Sequence, residues 1–442
     1  MRRLTMAALG LFCAWTALNP SAAQALPSFA RQTSQPCSAC HTNFPELTPF
    51  GRQFKLNGYV LSSGVSDLPH FAAMLQPGFT RTDKGQPGGA APHFADNNNF
   101  SLNQASLFYG GIVVPDNVGA FAQVTYDGVG RELAWDNTDI RFADSGSLAG
   151  HDVTFGVTAN NNPSVTDLWN STPAWGFPYS GSGLAPGPAA GTLIQGGLAQ
   201  QVAGLGAYAM VDDHLYVELN GYRTLSNGAQ KALGVDPSGE TQIDGIAPYW
   251  RIALQQSWGN HYLELGHFGL TAATYPGRDQ SAGSDRITDF GFDTQYQYLG
   301  GRDNASVLAS FVVEDANWDA SRRLGIADNA NDTLYSFNLA GSYLFDQTYG
   351  FTVGYFATFG DKDAALYGTR TGSPNSDGFT LQLDWLPFNK NGGPEIWPMS
   401  NLKLSLQYTD YLQFDGAAHN YDGSGRDASD NNTLYLQAWL AF

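Results

Sequence analysis

From residue 69 to the C-terminus, the chain consists of segments of about ten residues in which apolar and polar side chains alternate. The clearest segment, residues 402–408, places three leucines and a tyrosine at alternate positions, with Lys, Ser and Gln between them. Residues 379–385 and 335–339 repeat the pattern. Strict alternation puts the two sets of side chains on opposite faces of an extended strand. The pattern therefore predicts an all-β fold.

The number of these segments and the character of the last one predict a closed sheet. About sixteen segments can be counted, and polar turns separate them. Their centres lie near residues 75, 107, 122, 140, 155, 205, 218, 251, 264, 293, 310, 339, 353, 382, 406 and 437. The last segment has a one-sided apolar face that ends at Phe442. We expect an antiparallel barrel of about sixteen strands in which the first and last strands pair.

The lengths of the links distinguish a membrane barrel from a soluble sandwich, in which strands also alternate. Asp346 and Gln347 form a tight link, whereas the next link, residues 361–377, is long and polar. Short turns at one end and long loops at the other are typical of outer-membrane barrels. We therefore expect residues 67–442 to be a porin-like transmembrane β-barrel in a bacterial outer membrane.

Residues 1–25 have the features of a secretory signal peptide. Two arginines precede a mostly apolar stretch, residues 4–18, which is short for a membrane-spanning helix. Residues 23–25 read Ala-Gln-Ala, an A-x-A cleavage site, so the mature chain should begin at Leu26. An uncleaved anchor helix is the alternative.

The charge balance excludes one class of partner. Of the 22 basic residues two lie in the expected signal peptide, so the mature chain has 20 basic and 40 acidic residues and a net charge of −20. A nucleic-acid-binding protein needs a basic surface, which this composition does not provide.

The chemistry of the chain is concentrated in Cys37-Ser-Ala-Cys40-His41. A C-x-x-C-H sequence is the attachment motif of a c-type haem, in which both thiols bond to the vinyl groups and the histidine binds the iron. The chain has three cysteines, and Cys13 falls in the expected signal peptide. A redox-active dithiol or disulfide, or half of a zinc site, are the alternatives. We predict one covalent c-type haem bound by Cys37, Cys40 and His41.

The haem motif lies in a segment, residues 26–66, that is near the lower size limit for independent folding. A short helix should begin after Thr48, which is a suitable N-cap before a proline, and end near Leu56. Because the segment is too small to enclose a haem, we expect the barrel to supply the rest of the walls.

Four side chains of this short helix are candidates for contact with the haem. Phe50 and Phe54 share one face, which either lies against the porphyrin or packs locally. Arg52 and Lys55 either pair with the haem propionates or are solvated. A second expected wall is the long link, residues 160–195, whose aromatic residues argue against disorder. It either folds inward toward the haem segment or forms an ordinary external loop.

There are three possibilities for the sixth coordination position of the haem iron. Met74 lies at an inward-facing position of the first strand, and a methionine ligand would raise the reduction potential. His70 has the same parity. The third possibility is an open or water-ligated sixth position. We take Met74 as the ligand to test first.

Several stretches of the sequence resemble those of a known family, the fused monohaem cytochrome–porins, which are outer-membrane iron oxidases of iron-oxidising bacteria. The similar stretches are residues 26–33 (LPSFARQT), 37–41 (CSACH), 45–47 (PEL) and 50–55 (FGRQFK), with a weaker similarity at 161–179, which includes TPAWGFPY. About 30 residues carry the specific similarity, and the rest is similar in architecture and length only.

The resemblance implies a small cytochrome that plugs a sixteen-stranded porin. Its haem would accept electrons from extracellular ferrous iron and pass them to a periplasmic carrier, a cytochrome c or a cupredoxin. Acidic loops could concentrate the cation; the aspartates concerned are Asp361, Asp363, Asp422, Asp427 and Asp430. The alternatives are a haem-plugged diffusion porin and an electron conduit for a different donor.

Overall fold

The computed structural model describes residues 26–64, 70–235, 241–395 and 399–442. The expected signal peptide (residues 1–25) and the expected domain boundary between residues 66 and 67 lie outside this part of the chain. The strands are β1 (Phe71–Thr82), β2 (Asn99–Val114), β3 (Val118–Asp127), β4 (Glu132–Leu148), β5 (His151–Asn160), β6 (Val202–Val211), β7 (Leu215–Thr224), β8 (Gln242–Ile243), β9 (Ala247–Trp258), β10 (His261–Tyr275), β11 (Asp285–Leu299), β12 (Asn304–Asn317), β13 (Asn331–Phe345), β14 (Tyr349–Gly360), β15 (Ser376–Trp385), β16 (Asn401–Gln413) and β17 (Thr433–Ala441).

Apart from the two-residue β8, these strands form one closed antiparallel barrel of sixteen strands, as the spacing predicts. Each strand pairs with its neighbour in sequence, except that β7 pairs with β9 across β8. The barrel closes between β1 and β17, where Met74 pairs with Ala441 and Phe79 with Leu436. Closure leaves no long strand edge with unpaired backbone groups.

The apolar side chains of the barrel strands face outward. In β15, Leu381 and Leu383 are exposed, whereas Thr380 and Gln382 are buried in the interior. A soluble sandwich would bury the leucines and expose the polar residues, so that alternative is wrong. In β4, the inward Arg141 is likewise fully buried in the polar interior.

The two ends of the barrel differ in the length of their links. At one end, here called the short-turn end, the links are residues 115–117, 149–150, 212–214, 259–260, 300–303, 346–348 and, as an exception, the longer 386–400. In the tight link, Asp346 and Gln347 have φ angles of 51° and 50°. The opposite end, here called the long-loop end, carries most of the long links, including residues 83–98, 161–201 and 414–432.

The N-terminal segment lies against the interior of the barrel at the short-turn end. Its helices are α1 (Pro27–Thr33), α2 (Cys37–Cys40) and α3 (Pro49–Leu56); the short helices of the barrel links are α4 (Asn227–Ala232), α5 (Asp319–Leu324) and α6 (Ala364–Tyr367), with 3₁₀ turns at Pro276–Arg278, Gln280–Ala282 and Ala428–Asn431. The Gln53 amide donates to Asp213 Oδ1 at 2.6 Å, and the Ser38 N–H donates to Asn389 O at 3.3 Å. None of the helices in the described ranges is both long and apolar enough to cross a membrane.

The helix boundaries confirm the prediction for α3. Thr48 Oγ1 accepts a hydrogen bond from Gly51 N at 3.2 Å, and the helix ends at Leu56. Of the two phenylalanines on this helix, Phe54 is 4% exposed, whereas Phe50 is 40% exposed.

The long link between β5 and β6, residues 161–201, folds inward and confirms one of the two interpretations made for it. Trp169 and Leu184 are completely buried. The Trp169 indole N–H donates to Tyr262 OH on β10, near the short-turn end. This link, here called the inward loop, therefore fills much of the lumen.

Candidate functional site

Cys37, Cys40 and His41 line one cavity between the N-terminal segment, the barrel wall and the inward loop. The cavity contains about 660 Å³ of empty space, including solvent at its mouth. Its other walls are mainly apolar or aromatic, and include Phe29, Leu47, Phe54, Tyr59, Phe121 and Trp175. An apolar lining with a few convergent polar groups is typical of sites for small molecules and cofactors.

The two cysteines occupy a single helical turn, α2, and both are free thiols. Burial raises the pKa of the Cys37 thiol to about 11 and that of Cys40 to about 12. A redox-active dithiol needs the opposite, a thiol whose pKa is lowered so that the thiolate forms.

The His41 ring is held in an orientation that leaves one nitrogen for a ligand. Its Nδ1 lies 3.1 Å from Pro45 O, and Phe44 packs edge-on against the ring with 5.3 Å between centroids. Burial lowers the pKa of His41 to about 4, so the imidazole is neutral and donates from Nδ1. The lone pair then belongs to Nε2, as in metal-binding histidines whose second nitrogen is hydrogen-bonded.

Helix α3 packs directly on the motif. A Cβ atom added at Gly51 would lie 2.4 Å from Cys40 O. Thr48 Oγ1 donates to Ala39 O at 2.6 Å, and Thr48 N donates to Cys40 O at 2.9 Å. These contacts satisfy the carbonyl groups at the end of the C-x-x-C turn and fix its orientation to the cavity.

The donor set fits a covalently attached c-type haem. Two thiols and a neutral imidazole share one wall of a cavity whose other walls are apolar, and these are the groups that such a haem requires. Cys37 and Cys40 would hold the macrocycle, and His41 would supply the iron ligand.

Lys55 lines the cavity, but its ammonium group is bound by the inward loop. Nζ donates to Val165 O at 2.9 Å and to the carbonyl oxygen of Asp167, and it lies 4.1 Å from the centre of the Trp175 ring. Burial, followed by the nearby positive charge of Arg141, lowers the pKa of Lys55 to about 7. The solvated interpretation of Lys55 is wrong; pairing with a propionate stays a prediction.

Arg52 is fully buried and faces the barrel wall. Its Nη1 donates to Leu47 O at 2.6 Å and to the Gln295 and Gln297 side chains at 2.8 and 2.9 Å. The guanidinium carbon lies 3.7 Å above the centre of the Tyr262 ring. The solvated interpretation is wrong here too, and Arg52 is not among the residues that line the cavity.

The structure does not bring either candidate for the second axial ligand into the cavity lining. Met74 faces inward, as its parity predicts, but it packs in a core with Phe44 and Phe54, and Gln76 Nε2 lies 3.2 Å from its sulfur. His70 stacks edge-on near Tyr109, with 6.0 Å between the ring centroids.

Sequence reasoning missed the residues that position the inward loop. Arg251 on β9 is completely buried and contacts three carboxylates: Asp167 at 3.3 Å, Glu264 at 3.1 Å and Asp293 at 2.8 Å. These residues come from four separate parts of the chain, so no local motif marks them. Two residues of the inward loop, Asn170 and Trp175, line the cavity. In the sequence, the aromatic and polar composition of the whole loop was the signal for them, and neither position was predicted individually.

The loop aspartates considered for cation capture have local structural roles. Asp363 accepts from Leu366 N at 2.8 Å and from Asp328 N at 2.8 Å. Asp427 and Asp430 form a capping box on the 3₁₀ turn between β16 and β17. Caps of this kind satisfy backbone N–H groups, which is the ordinary explanation for aspartate in turns.

A second, larger chamber lies above the first, toward the long-loop end. It encloses about 2680 Å³ of empty space, again including open solvent. Its walls include Ser336, Thr380 and Gln407 from the strands, and residues of the inward loop such as Thr172 and Phe177. The inward loop therefore lies between the two spaces.

No protein-family model and no curated protein sequence matches this chain. Bacterial outer-membrane proteins are among the similar solved structures. OmpT of Vibrio cholerae, in its trimer form, is 11% identical over 84% of this chain and 98% of its own length, with a TM-score of 0.44. The outer-membrane channel DcaP of Acinetobacter baumannii is 11% identical over 84% of this chain and 96% of its own, with a TM-score of 0.46. An anion-selective porin from Comamonas acidovorans is 11% identical over 84% of this chain and 98% of its own, also with a TM-score of 0.46. The closed sixteen-stranded barrel itself follows from the strand pairing described above.

Proposed function

We propose that this protein lies in the outer membrane of a bacterium and conducts single electrons through a c-type haem held in the barrel lumen. One observation carries the proposal: Cys37, Cys40 and His41 line a mainly apolar cavity inside a closed barrel. When bound, the haem supplies reversible one-electron chemistry at the iron.

The outer surface of the barrel supports the location in a membrane. Large apolar side chains project outward from most strands; Phe100 is 80% exposed and Leu107 is 67% exposed. Such a band would be costly in water and is matched by lipid. The short turns then face the periplasm and the long loops face the exterior, as is usual for these barrels.

The chain's own residues provide three functions in this proposal. Cys37 and Cys40 hold the cofactor, and His41 presents Nε2 because Pro45 O engages Nδ1. The apolar walls exclude water. Lys55 and the inward loop close the cavity toward the exterior.

For the donor we propose ferrous iron, and for the acceptor a periplasmic carrier, a cytochrome c or a cupredoxin. The donor assignment is supported by the resemblance of the N-terminal segment to the cytochrome–porins and by the mature net charge of −20 derived from the sequence, which attracts cations. The acceptor is proposed because the cavity lies near the short-turn end.

A second candidate function is that of a haem-plugged diffusion porin, and an electron conduit for a different donor is a third. The wide chamber at the long-loop end, whose strand walls carry hydroxyl and amide groups, favours solute access and therefore both alternatives. Planar-bilayer conductance separates the porin from the conduit, because the inward loop and the N-terminal segment should keep the conductance of the intact protein low.

The deciding experiment uses anaerobic proteoliposomes that contain an entrapped electron acceptor. External ferrous iron should reduce the haem and then the acceptor in vesicles with the haem-loaded protein. A Cys37→Ser, Cys40→Ser double variant, which keeps the barrel but cannot hold the haem covalently, is the control. Transfer by both proteins, or by neither, overturns the proposal. Haem that resists acid–acetone extraction and gives a pyridine haemochrome band tests the covalent attachment.

A further inference from the structure

We infer that the electron donor is received inside the barrel, in the chamber at the long-loop end, and that residues 170–183 separate it from the haem. This inference rests on the proposed function and deepens it, because it specifies where the donor binds and what class of donor fits. We call residues 170–183 the partition.

The partition contributes to both spaces. Asn170 and Trp175 line the cavity that holds Cys37 and Cys40, whereas Thr172 and Phe177 line the chamber. One segment of the chain, the partition, therefore separates a solute in the chamber from the haem cavity.

Trp175 is the side chain placed at the boundary. It is 5% exposed, packs with Val165 and Tyr179, and lies under the Lys55 ammonium group. Its indole faces the cavity while its neighbour Gly176 lies against the chamber. We assign Trp175 as the positioning residue that closes the partition over the haem.

The partition is tied down at several points. Asp167 accepts from Ser171 N at 2.9 Å and from Thr172 N at 3.0 Å, and its other oxygen pairs with Arg251 at 3.3 Å. Farther along, the Gln407 amide donates to Ser180 O at 2.9 Å. A wall bonded in this way stays in place, so the donor gives up its electron across the wall and does not pass through it.

The lining of the chamber indicates the class of donor. Hydroxyl and amide groups dominate the strand walls, for example Ser336, Thr380 and Gln407. Two carboxylates, Asp127 and Glu132, and one guanidinium, Arg131, line the chamber at the long-loop end of β3 and β4. Neutral polar groups can hydrogen-bond to the water shell of an ion without replacing it. The chamber therefore suits a small hydrated ion, and a folded protein donor would be too large to enter.

The electron balance is simple. One electron would leave the donor, ferrous iron becoming ferric iron, and the haem that Cys37, Cys40 and His41 would hold would take up that electron. No bond to the protein forms or breaks, and no proton transfer is required. The oxidised ion leaves by the chamber through which it arrived.

Selective blocking of the chamber tests the inference. In the haem-loaded mature protein both native cysteines are bonded to the haem, so an introduced cysteine is the single free thiol. Thr380→Cys places it on the chamber wall, and Ser424→Cys places it on an exposed long loop as the matched control. Each variant, in proteoliposomes, is labelled from outside with a maleimide that carries a long polyethylene glycol chain, and haem reduction is followed in the labelled fraction.

Ferrous iron and dithionite serve as two small donors. The label on Thr380→Cys should slow reduction by both donors about tenfold or more, because the donor is kept from its position next to the partition. The label on Ser424→Cys should leave the rates within about twofold. Equal rates for the two labelled variants overturn the inference.

The two donors also separate this inference from the proposed function. If dithionite but not iron reduces the unlabelled protein, the proposed donor is wrong, yet the labelled pair still decides whether donors use the chamber. As a test of the partition itself, Trp175→Gly should raise the conductance of the barrel. An unchanged conductance would overturn the assignment of Trp175 as the side chain that closes the partition.

Discussion

Gly51 offers the sharpest test of how the haem motif is held. It lies inside helix α3, where glycine is about 0.5 to 1 kcal/mol less favourable than alanine because of its greater backbone entropy. Helix propensity alone therefore predicts that Gly51→Ala stabilises the protein.

The packing reverses that expectation. The added Cβ atom would lie 2.4 Å from Cys40 O and 3.0 Å from Leu47 Cδ2. The first contact is roughly 1 Å shorter than an optimal carbon contact. The oxygen belongs to the backbone of the haem motif and cannot rotate away, so α3 or the motif must move. Overpacking of this kind costs about 1 to 3 kcal/mol, and after the gain in helix propensity of about 0.5 to 1 kcal/mol we expect a net loss of up to about 2.5 kcal/mol.

The assay compares haem yield and protease resistance of the N-terminal segment. A loss of about 1.4 kcal/mol raises the population of displaced segments about tenfold, so Gly51→Ala should be cleaved faster between residues 26 and 64 and should carry less covalent haem. The control is Gly228→Ala in α4, where an added Cβ has no neighbour within 4 Å among the described residues. It should be neutral or slightly stabilising. A Gly51→Ala protein as resistant as the Gly228→Ala protein would refute the reasoning.

Three further predictions follow from the contacts of single side chains. Lys55→Met should separate α3 from the inward loop. Because burial lowers the pKa of Lys55 from 10.5 to about 7, the unfolded chain binds more protons than the folded chain above pH 7. In urea titrations of the detergent-solubilised protein, the stability of the wild type relative to this variant should therefore rise between pH 7 and 9, by at most about 1.4 kcal/mol per pH unit. Arg251→Met leaves three buried carboxylates without their partner and should cost about 3 to 5 kcal/mol, with a raised conductance as the inward loop loosens, whereas the exposed Arg286→Met on β11 should change neither. Met74→Leu conserves volume in a core position, so the haem spectrum and potential should stay unchanged; a shifted potential would instead support the methionine as an axial ligand.

The barrel strands were predictable because their signal is local. Each of the sixteen predicted centres falls inside an observed strand, since alternation with a period of two is imposed on every strand that has one apolar and one polar surface. The α3 boundaries were predictable for the same reason: Thr48 and Pro49 form a start signal within three residues.

The contacts of the side chains near the haem motif could not be predicted from neighbouring residues in the sequence. Arg52 and Lys55 lie three positions apart on the same helix, and the sequence does not distinguish them. The structure does, because Gln295 and Gln297 of β11 bind Arg52, whereas the inward loop binds Lys55. The partners are more than 100 residues away from α3 in both cases.

The chain on its own therefore specifies a barrel, a C-x-x-C-H motif and a segment too short to enclose a haem, because periodicity, motif spacing and length are properties of neighbouring residues. The cavity is a property of the fold. It exists because closure of the sheet brings the N-terminal segment, Phe121 of β3 and Trp175 of the inward loop around one space. Whether Met74 faces that space or the core beside it depends on distances between elements, which no pattern along the chain records.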